Sequence, residues 1–275
     1  MSVRILHSQM HLVILGLCFL APAQAHEYWL ERATQKNPEK LSLELTARVG
    51  EGLQSHNLQK FSSDSFERLW VNGYQALPRE VTLSNNDKSL HIKPLVSKTT
   101  SVAYREKPAL HRYSKFSEFE QFAKEEGVEY IVNEHLEADL PEDQFYEQFT
   151  RHTKALFCYS PEPTVDTNTP MEYEWIALGN IDNRDTQVIH LQLLNLDIPL
   201  TAKSVTVFAN YAGDDDIKNI RLKTDSQGIV SISNRPGRFL INATLVRRAD
   251  PKTTVETGAI WESHWVSLTF DNQCA

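Results

Sequence analysis

Cysteine is scarce in this chain: three in 275 residues, at Cys18, Cys158 and Cys274. No CxxC pair exists, so a thiolate metal cluster is not expected. Ten glycines are few for the length, and the phosphate-cradling patterns built from them, the P-loop and G-x-G-x-x-G, are missing. There is no G-x-S-x-G elbow for a hydrolase serine and no HExxH pair for a thermolysin-like zinc site. Basic residues are outnumbered, 28 against 36 acidic, for a net charge of -8. That balance argues against nucleic acid or an anionic membrane as partner and suits a protein that holds cations. Beyond the first 25 residues no apolar run approaches the roughly 18 residues of a spanning helix.

The beginning is different. Arg4 precedes an apolar run from Leu12 to Leu20, and Ala23-Gln24-Ala25 follows, the pattern of a cleavable secretory signal over residues 1–25. Leu17 before Cys18 is bulky for a lipid-attachment box, so a soluble exported protein is expected, in the periplasm. Cleavage after Ala25 exposes His26, leaving about 250 residues and a charge of about −9. A terminal histidine carries an α-amine and an imidazole, which together chelate one transition-metal ion. An oxidising compartment also allows a Cys158–Cys274 disulfide, with two unpaired thiols as the equal alternative.

Hydropathy patterning predicts a mainly β chain. Leu41 to Val49 alternates apolar and polar residues, as a strand with one wet face does. Leu69 to Val71 and Leu90 to Ile92 are shorter strands, so the N-terminal part reads as an antiparallel β unit. Lys115 to Glu126 reads as a helix stopped by Gly127. Pro141 to Phe157 reads as a second helix, because Phe145, Phe149, His152 and Leu156 fall at spacings 4, 3 and 4. The two form a helical insertion over about 115–157. Alternation resumes at Ile189 to Leu193, Val205 to Tyr211, Phe239 to Leu245 and Ala259 to Phe270, with turn signals between, which predicts a small β-sandwich. The expected domains are 26–185, the β unit with its insertion, and 186–275, the sandwich.

For metal ligands, His26 leads. His56, in the polar stretch after the first strong strand, is the second imidazole, and Glu51 a possible carboxylate. His264 shares a strand face with Val266, Leu268 and Phe270, as a buried ligand or a hydrogen-bonded core histidine. His152 shares its expected helical face with Phe145 and Phe149 and reads as packing, and a helical spacing of six turns it away from Cys158. His91, His111, His135 and His190 show no ligand spacing. Asp214-Asp215-Asp216 lacks the rest of a calcium loop and reads as a hairpin turn.

Several stretches together resemble an exported bacterial family that carries a domain of unknown function, family 4198, described as periplasmic components of nickel or cobalt uptake. They are His26 to Glu31, Arg48 to Gly52, Arg151 to Leu156, Thr224 to Gly228, Arg235 to Ile241 and Trp261 to Phe270. The resemblance implies a β-rich periplasmic protein with a small Greek-key domain at its C-terminal end. The family pattern tends to place an aromatic at position 264, which counts against a ligand there.

The leading expectation is therefore an exported protein that captures a divalent metal, nickel or cobalt ahead of copper, through His26 and His56 and passes it to a membrane transporter. One alternative is a copper oxidase with a histidine brace, which needs a flat aromatic platform drawn from Trp29, Trp70 and Trp175. Another is a non-metal carbohydrate-binding or adhesion module on the C-terminal sandwich.

Overall fold

The computed structural model describes residues 27–33, 43–61, 66–72, 74–75, 81–83, 88–92, 99–158, 166, 168–183 and 185–273. The expected leader, its cleavage point, His26 and Cys274 lie outside these residues, as do the side chains of His56 and Cys158.

The described chain is mainly β. The first strands are β1 (Glu27–Arg32), β2 (Leu43–Glu51), β3 (Gln54–Gln59), β4 (Phe66–Val71), β5 (Tyr74–Gln75), β6 (Val81–Leu83), β7 (Leu90–Ile92), β8 (Thr99–Glu106) and β9 (Ala109–Tyr113). Helices α1 (Phe116–Glu126) and α2 (Tyr130–Glu137) follow. Then come β10 (Phe145–Cys158), β11 (Tyr173–Leu178), β12 (Val188–Asn195), β13 (Ile198–Pro199), β14 (Ser204–Tyr211), β15 (Lys218–Lys223) and β16 (Ile229–Ser233). The last elements are β17 (Gly237–Arg248), α3 (Pro251–Thr257) and β18 (Ala259–Asp271).

Three sheets result. A nine-stranded sheet runs β15-β14-β17-β18-β10-β8-β4-β5, with β9 on the first half of β10. Its strands come from both sides of position 185, and its centre is a parallel pair in which His152 of β10 stands opposite Val266 of β18 and Lys154 opposite Leu268. Alternation along these strands divides the core. On one face Leu156, Val207, Ile241, Val266 and Leu268 pack against Trp175, Leu191, Leu193 and Val230 of the four-stranded sheet β11-β12-β13-β16. On the other face Val102, Tyr104 and Ala155 pack against Tyr28, Leu30, Leu43 and Leu45 of the five-stranded sheet built around β2. Farther along that face Trp261, Trp265 and Phe145 pack under α1 and α2 with Phe119, Phe122 and Ile131.

The alternating stretches became β2, β12, β14, β17 and β18, and α1 ends at Gly127, whose φ of 68° is the left-handed turn that glycine adopts without strain. One element differs. The expected helix over 141–157 is instead β10, a fourteen-residue strand, and the second helix of the insertion is α2. The phenylalanines at 145 and 149 do share a face, but it is a strand face under the helices, where β10 pairs with β9 through Phe145↔Tyr113 and Phe149↔Ala109. Residues 152 to 158 then pair with β8, which supplies the partner strand that overrides the local helical spacing.

Candidate functional site

With residue 152 on a strand, His152 projects from the same face of the nine-stranded sheet as Lys154 and Leu156, and His264 projects from that face of the neighbouring β18. Glu172, just before β11, and Tyr173, its first residue, lie beside these histidines. Ligand atoms of His152, Glu172 and His264 lie within 4.8 Å of one another, the only such group of three metal-ligating side chains among the described residues.

His152 Nε2 and His264 Nδ1 are 3.3 Å apart. Two nitrogens bound to one tetrahedral ion at about 2.0–2.1 Å each stand about 3.3–3.4 Å from one another, so the spacing suits shared coordination as well as a ring-to-ring hydrogen bond. The outer nitrogens, His152 Nδ1 and His264 Nε2, are buried with no hydrogen-bond partner among the described residues, so neither fixes its ring's tautomer. Burial drives both rings to the neutral form that binds metal. It holds His152 well below the usual imidazole range, helped by His264 and Arg105, and lowers His264 to about 3, helped by Arg247 and Arg105. Tyr173 lies over His264 at 4.5 Å between ring centroids and limits that ring's motion.

Glu172 is half-buried, and Arg105 approaches its carboxylate at 3.8 Å. Arg105 is held in place by Glu67 at 2.6 Å, which offsets a cation that would otherwise repel a metal ion. Beside His264 opens a cavity of about 280 Å³, walled by Tyr173 and Thr244 and rimmed by Lys203, Lys223 and Arg247. Of the three clustered side chains, it is His264 that lines this cavity. Arg247 is paired with Glu262 at 2.9 Å.

Of the four residues named from sequence, His264 enters this cluster. Glu51 is exposed at the end of β2 and takes no part in it. His56 is placed only as backbone in β3, and His26 lies outside the described residues. His152, read from sequence as helix packing, is corrected here to a strand residue facing His264. Glu172 was not anticipated. It sits in a chain segment with no ligand spacing to either histidine, and only the pairing of β10 with β18 brings together residues 112 apart. The remaining histidines with described side chains have ordinary partners: His135 meets the Pro141 carbonyl and the Trp261 indole at 3.0 Å each, His190 meets Ser231 at 2.8 Å, His91 approaches Glu44 at 3.5 Å and His111 packs edge-on to Tyr113. Asp214 lies between β14 and β15, where Arg235 pairs with it at 3.0 Å. Trp29, Trp70 and Trp175 are all buried, so they form no exposed aromatic platform. No helix among the described residues is long and apolar enough to cross a membrane.

A family model described as "Domain of unknown function (DUF4198)" matches residues 23–247. Comparison with curated protein sequences gave no match. Among solved structures, the D0-D1 domain of intimin is similar over 89% of this chain and 97% of its own, at 10% identity and a TM-score of 0.21. Native alpha-2-macroglobulin from Escherichia coli, spanning domains MG0-NIE-MG1, is similar over 86% of this chain and 71% of its own, at 9% identity and a TM-score of 0.17. The family match spans most of the chain, and the protein belongs to the DUF4198 family.

Proposed function

We propose that this DUF4198 member binds a divalent transition metal between His152 and His264, with Glu172 as the carboxylate ligand. The observation that carries this reading is the 3.3 Å approach of two buried, neutral imidazoles with a carboxylate in reach. Two imidazoles and a carboxylate suit nickel, cobalt, zinc or copper, and the earlier family resemblance favours nickel or cobalt. Three protein ligands leave a coordination position open, and the cavity beside His264 gives the ion or its last ligand a route in. In this reading the protein is exported to the periplasm, the ion is cargo for a membrane transporter, and a processed His26 terminus serves as a first point of capture.

The test is calorimetric titration of nickel, cobalt, zinc and copper into the protein beginning at His26, beside His152→Ala, His264→Ala and a form with one extra residue ahead of His26. Loss of binding in both histidine variants supports the buried site. Loss only on extension moves the function to the terminus. Absence of binding by the native protein overturns the metal reading altogether.

A further inference from the structure

Two residues past His152, the same strand face carries an ammonium group in the core. Lys154, Asp166 and Glu174 are sealed from solvent, with side-chain exposures of 0%, 0% and 1%. Lys154 Nζ lies 2.9 Å from Asp166 Oδ1 and 3.0 Å from Glu174 Oε2. The surroundings are apolar. Lys154 stands in register between Ala103 of β8 and Leu268 of β18, and Ala103 between it and Trp70 of β4, with Met171 packed on Ala103 and Trp70. Charges removed from water here are costly, and a well-packed apolar substitute is often as stable as a buried ion pair. The triad therefore calls for an explanation beyond stability.

We propose that Lys154 and Asp166 are joined after folding by an intramolecular amide bond, with Glu174 as the carboxylate that carries the protons. Each group is aimed. Asp166 Oδ2 accepts the backbone N–H of Ala177 at 3.0 Å, which turns Oδ1 toward the lysine. Glu174 Oε1 accepts the Thr169 N–H at 2.9 Å, and Oε2 accepts both the Thr169 hydroxyl at 3.1 Å and Nζ at 3.0 Å. Nζ also donates to the Trp175 carbonyl at 3.3 Å. Three fixed directions hold the amine against the Asp166 carboxyl group at contact distance, the condition under which a bimolecular step becomes intramolecular.

The chemistry balances without a co-reactant. One ammonium proton passes through Glu174 to Asp166 Oδ1, giving a neutral amine and a carboxylic acid. The nitrogen lone pair adds to Cγ, forming the C–N bond, and the negative charge that develops on Oδ2 faces the Ala177 N–H. Glu174 takes a second proton from nitrogen and delivers it to Oδ1, the Cγ–Oδ1 bond breaks, and water leaves. One hydrogen remains on the amide nitrogen, one positive and one negative charge disappear, and nothing is oxidised or reduced. Loss of the Lys154 and Asp166 charges and exclusion of water from the product favour the amide, while the Glu174 carboxylate keeps the Thr169 N–H and hydroxyl as its donors. The link would tie β10, in the nine-stranded sheet, to the segment that precedes β11. It is independent of metal binding.

Intact mass after denaturation, reduction and alkylation tests this directly. The native protein is expected one water lighter than its processed sequence, with a Lys154–Asp166 cross-linked peptide after proteolysis. Glu174→Gln, which keeps the shape of the site, and Lys154→Arg are expected at full sequence mass, with circular dichroism confirming the β fold. Asp166→Asn should lose ammonia instead of water and converge on the mass of the native product. A native protein at full mass with no cross-linked peptide overturns the proposal, as does a water loss that persists in Lys154→Arg.

Discussion

His152 Nε2 faces His264 Nδ1 across 3.3 Å, between two strands that run parallel although 112 residues separate the pair in the chain. Both rings are buried and neutral, and the acid beside them comes from the loop just before β11. A ligand bound only by the folded state adds stability in proportion to its excess over Kd. At a hundredfold excess the gain is about 2.7 kcal/mol. For a chain of this size that raises Tm by roughly 5–10 °C. Thermal denaturation with and without nickel should show this rise in the native protein and none in His152→Ala or His264→Ala. Because each variant is compared with itself, its own loss of stability does not enter.

Much of the fold is readable in the sequence where one face of a strand is apolar and the other wet. β2 and β14 come close to that pattern, β17 alternates apolar Phe239, Ile241 and Ala243 with residues that are themselves buried, and the faces of β18 divide as expected, with Val266, Leu268 and Phe270 against the four-stranded sheet and Trp261 and Trp265 under the helices. β10 hides its period because Glu147, His152 and Lys154 occupy core positions. Each is polar, so alternation by hydropathy fails where partners rather than apolarity make burial tolerable. The phenylalanines that remain visible happen to fall at helical spacing. Of the candidate site only His264 was legible, for the same reason: its ligands come from two distant strands and a loop, and strand pairing, unlike a helical repeat, leaves no local spacing between them.

Glu147 is the clearest case of such compensated burial. Its carboxylate accepts hydrogen bonds from Tyr113 and Ser263, and Ser263 in turn accepts the Trp265 indole N–H at 3.2 Å. Removing the tyrosine hydroxyl leaves a buried acceptor short of a donor, so Tyr113→Phe should cost about 1–3 kcal/mol. Ser263→Ala should behave similarly. Both act on one carboxylate, so the double variant should depart from additivity by at least about 0.5 kcal/mol. Urea unfolding of the four proteins measures this, and strict additivity would show that Glu147 does not couple them.

Trp175 joins the sheets differently. It is fully buried in the largest apolar cluster, and its indole N–H donates to the Val266 carbonyl on β18 at 3.2 Å. Trp175→Ala should cost about 3–5 kcal/mol, the range for emptying a large aromatic site. Trp175→Phe should cost less, because it refills much of the volume and forfeits one hydrogen bond. Equal losses in the two variants, read from the urea midpoint, would put the weight on the hydrogen bond rather than on volume.

Glu126, at the end of α1, and Glu27, at the start of β1, are partly buried and close enough for the Glu27 charge to act on Glu126. Burial raises Glu126 to about 8 and Glu27 to about 7, against an ordinary value of 4.5. The Thr244 hydroxyl donates to Glu126 at 2.6 Å and opposes the rise only in part. Between pH 4.5 and 8 the unfolded chain gives up these protons while the folded chain keeps them. The folded state then binds more protons than the unfolded state, and stability falls as pH rises through this window. Below 4.5 both states are protonated and the effect vanishes. The buried histidines act in the opposite direction below about pH 6.5, but they are common to the native protein and Glu126→Gln, so the difference between the two isolates the glutamate. Relative to Glu126→Gln, the native protein should lose Tm steadily from pH 5 to pH 8. Parallel Tm curves across that range would show that Glu126 ionises in the folded protein as it does in the unfolded chain.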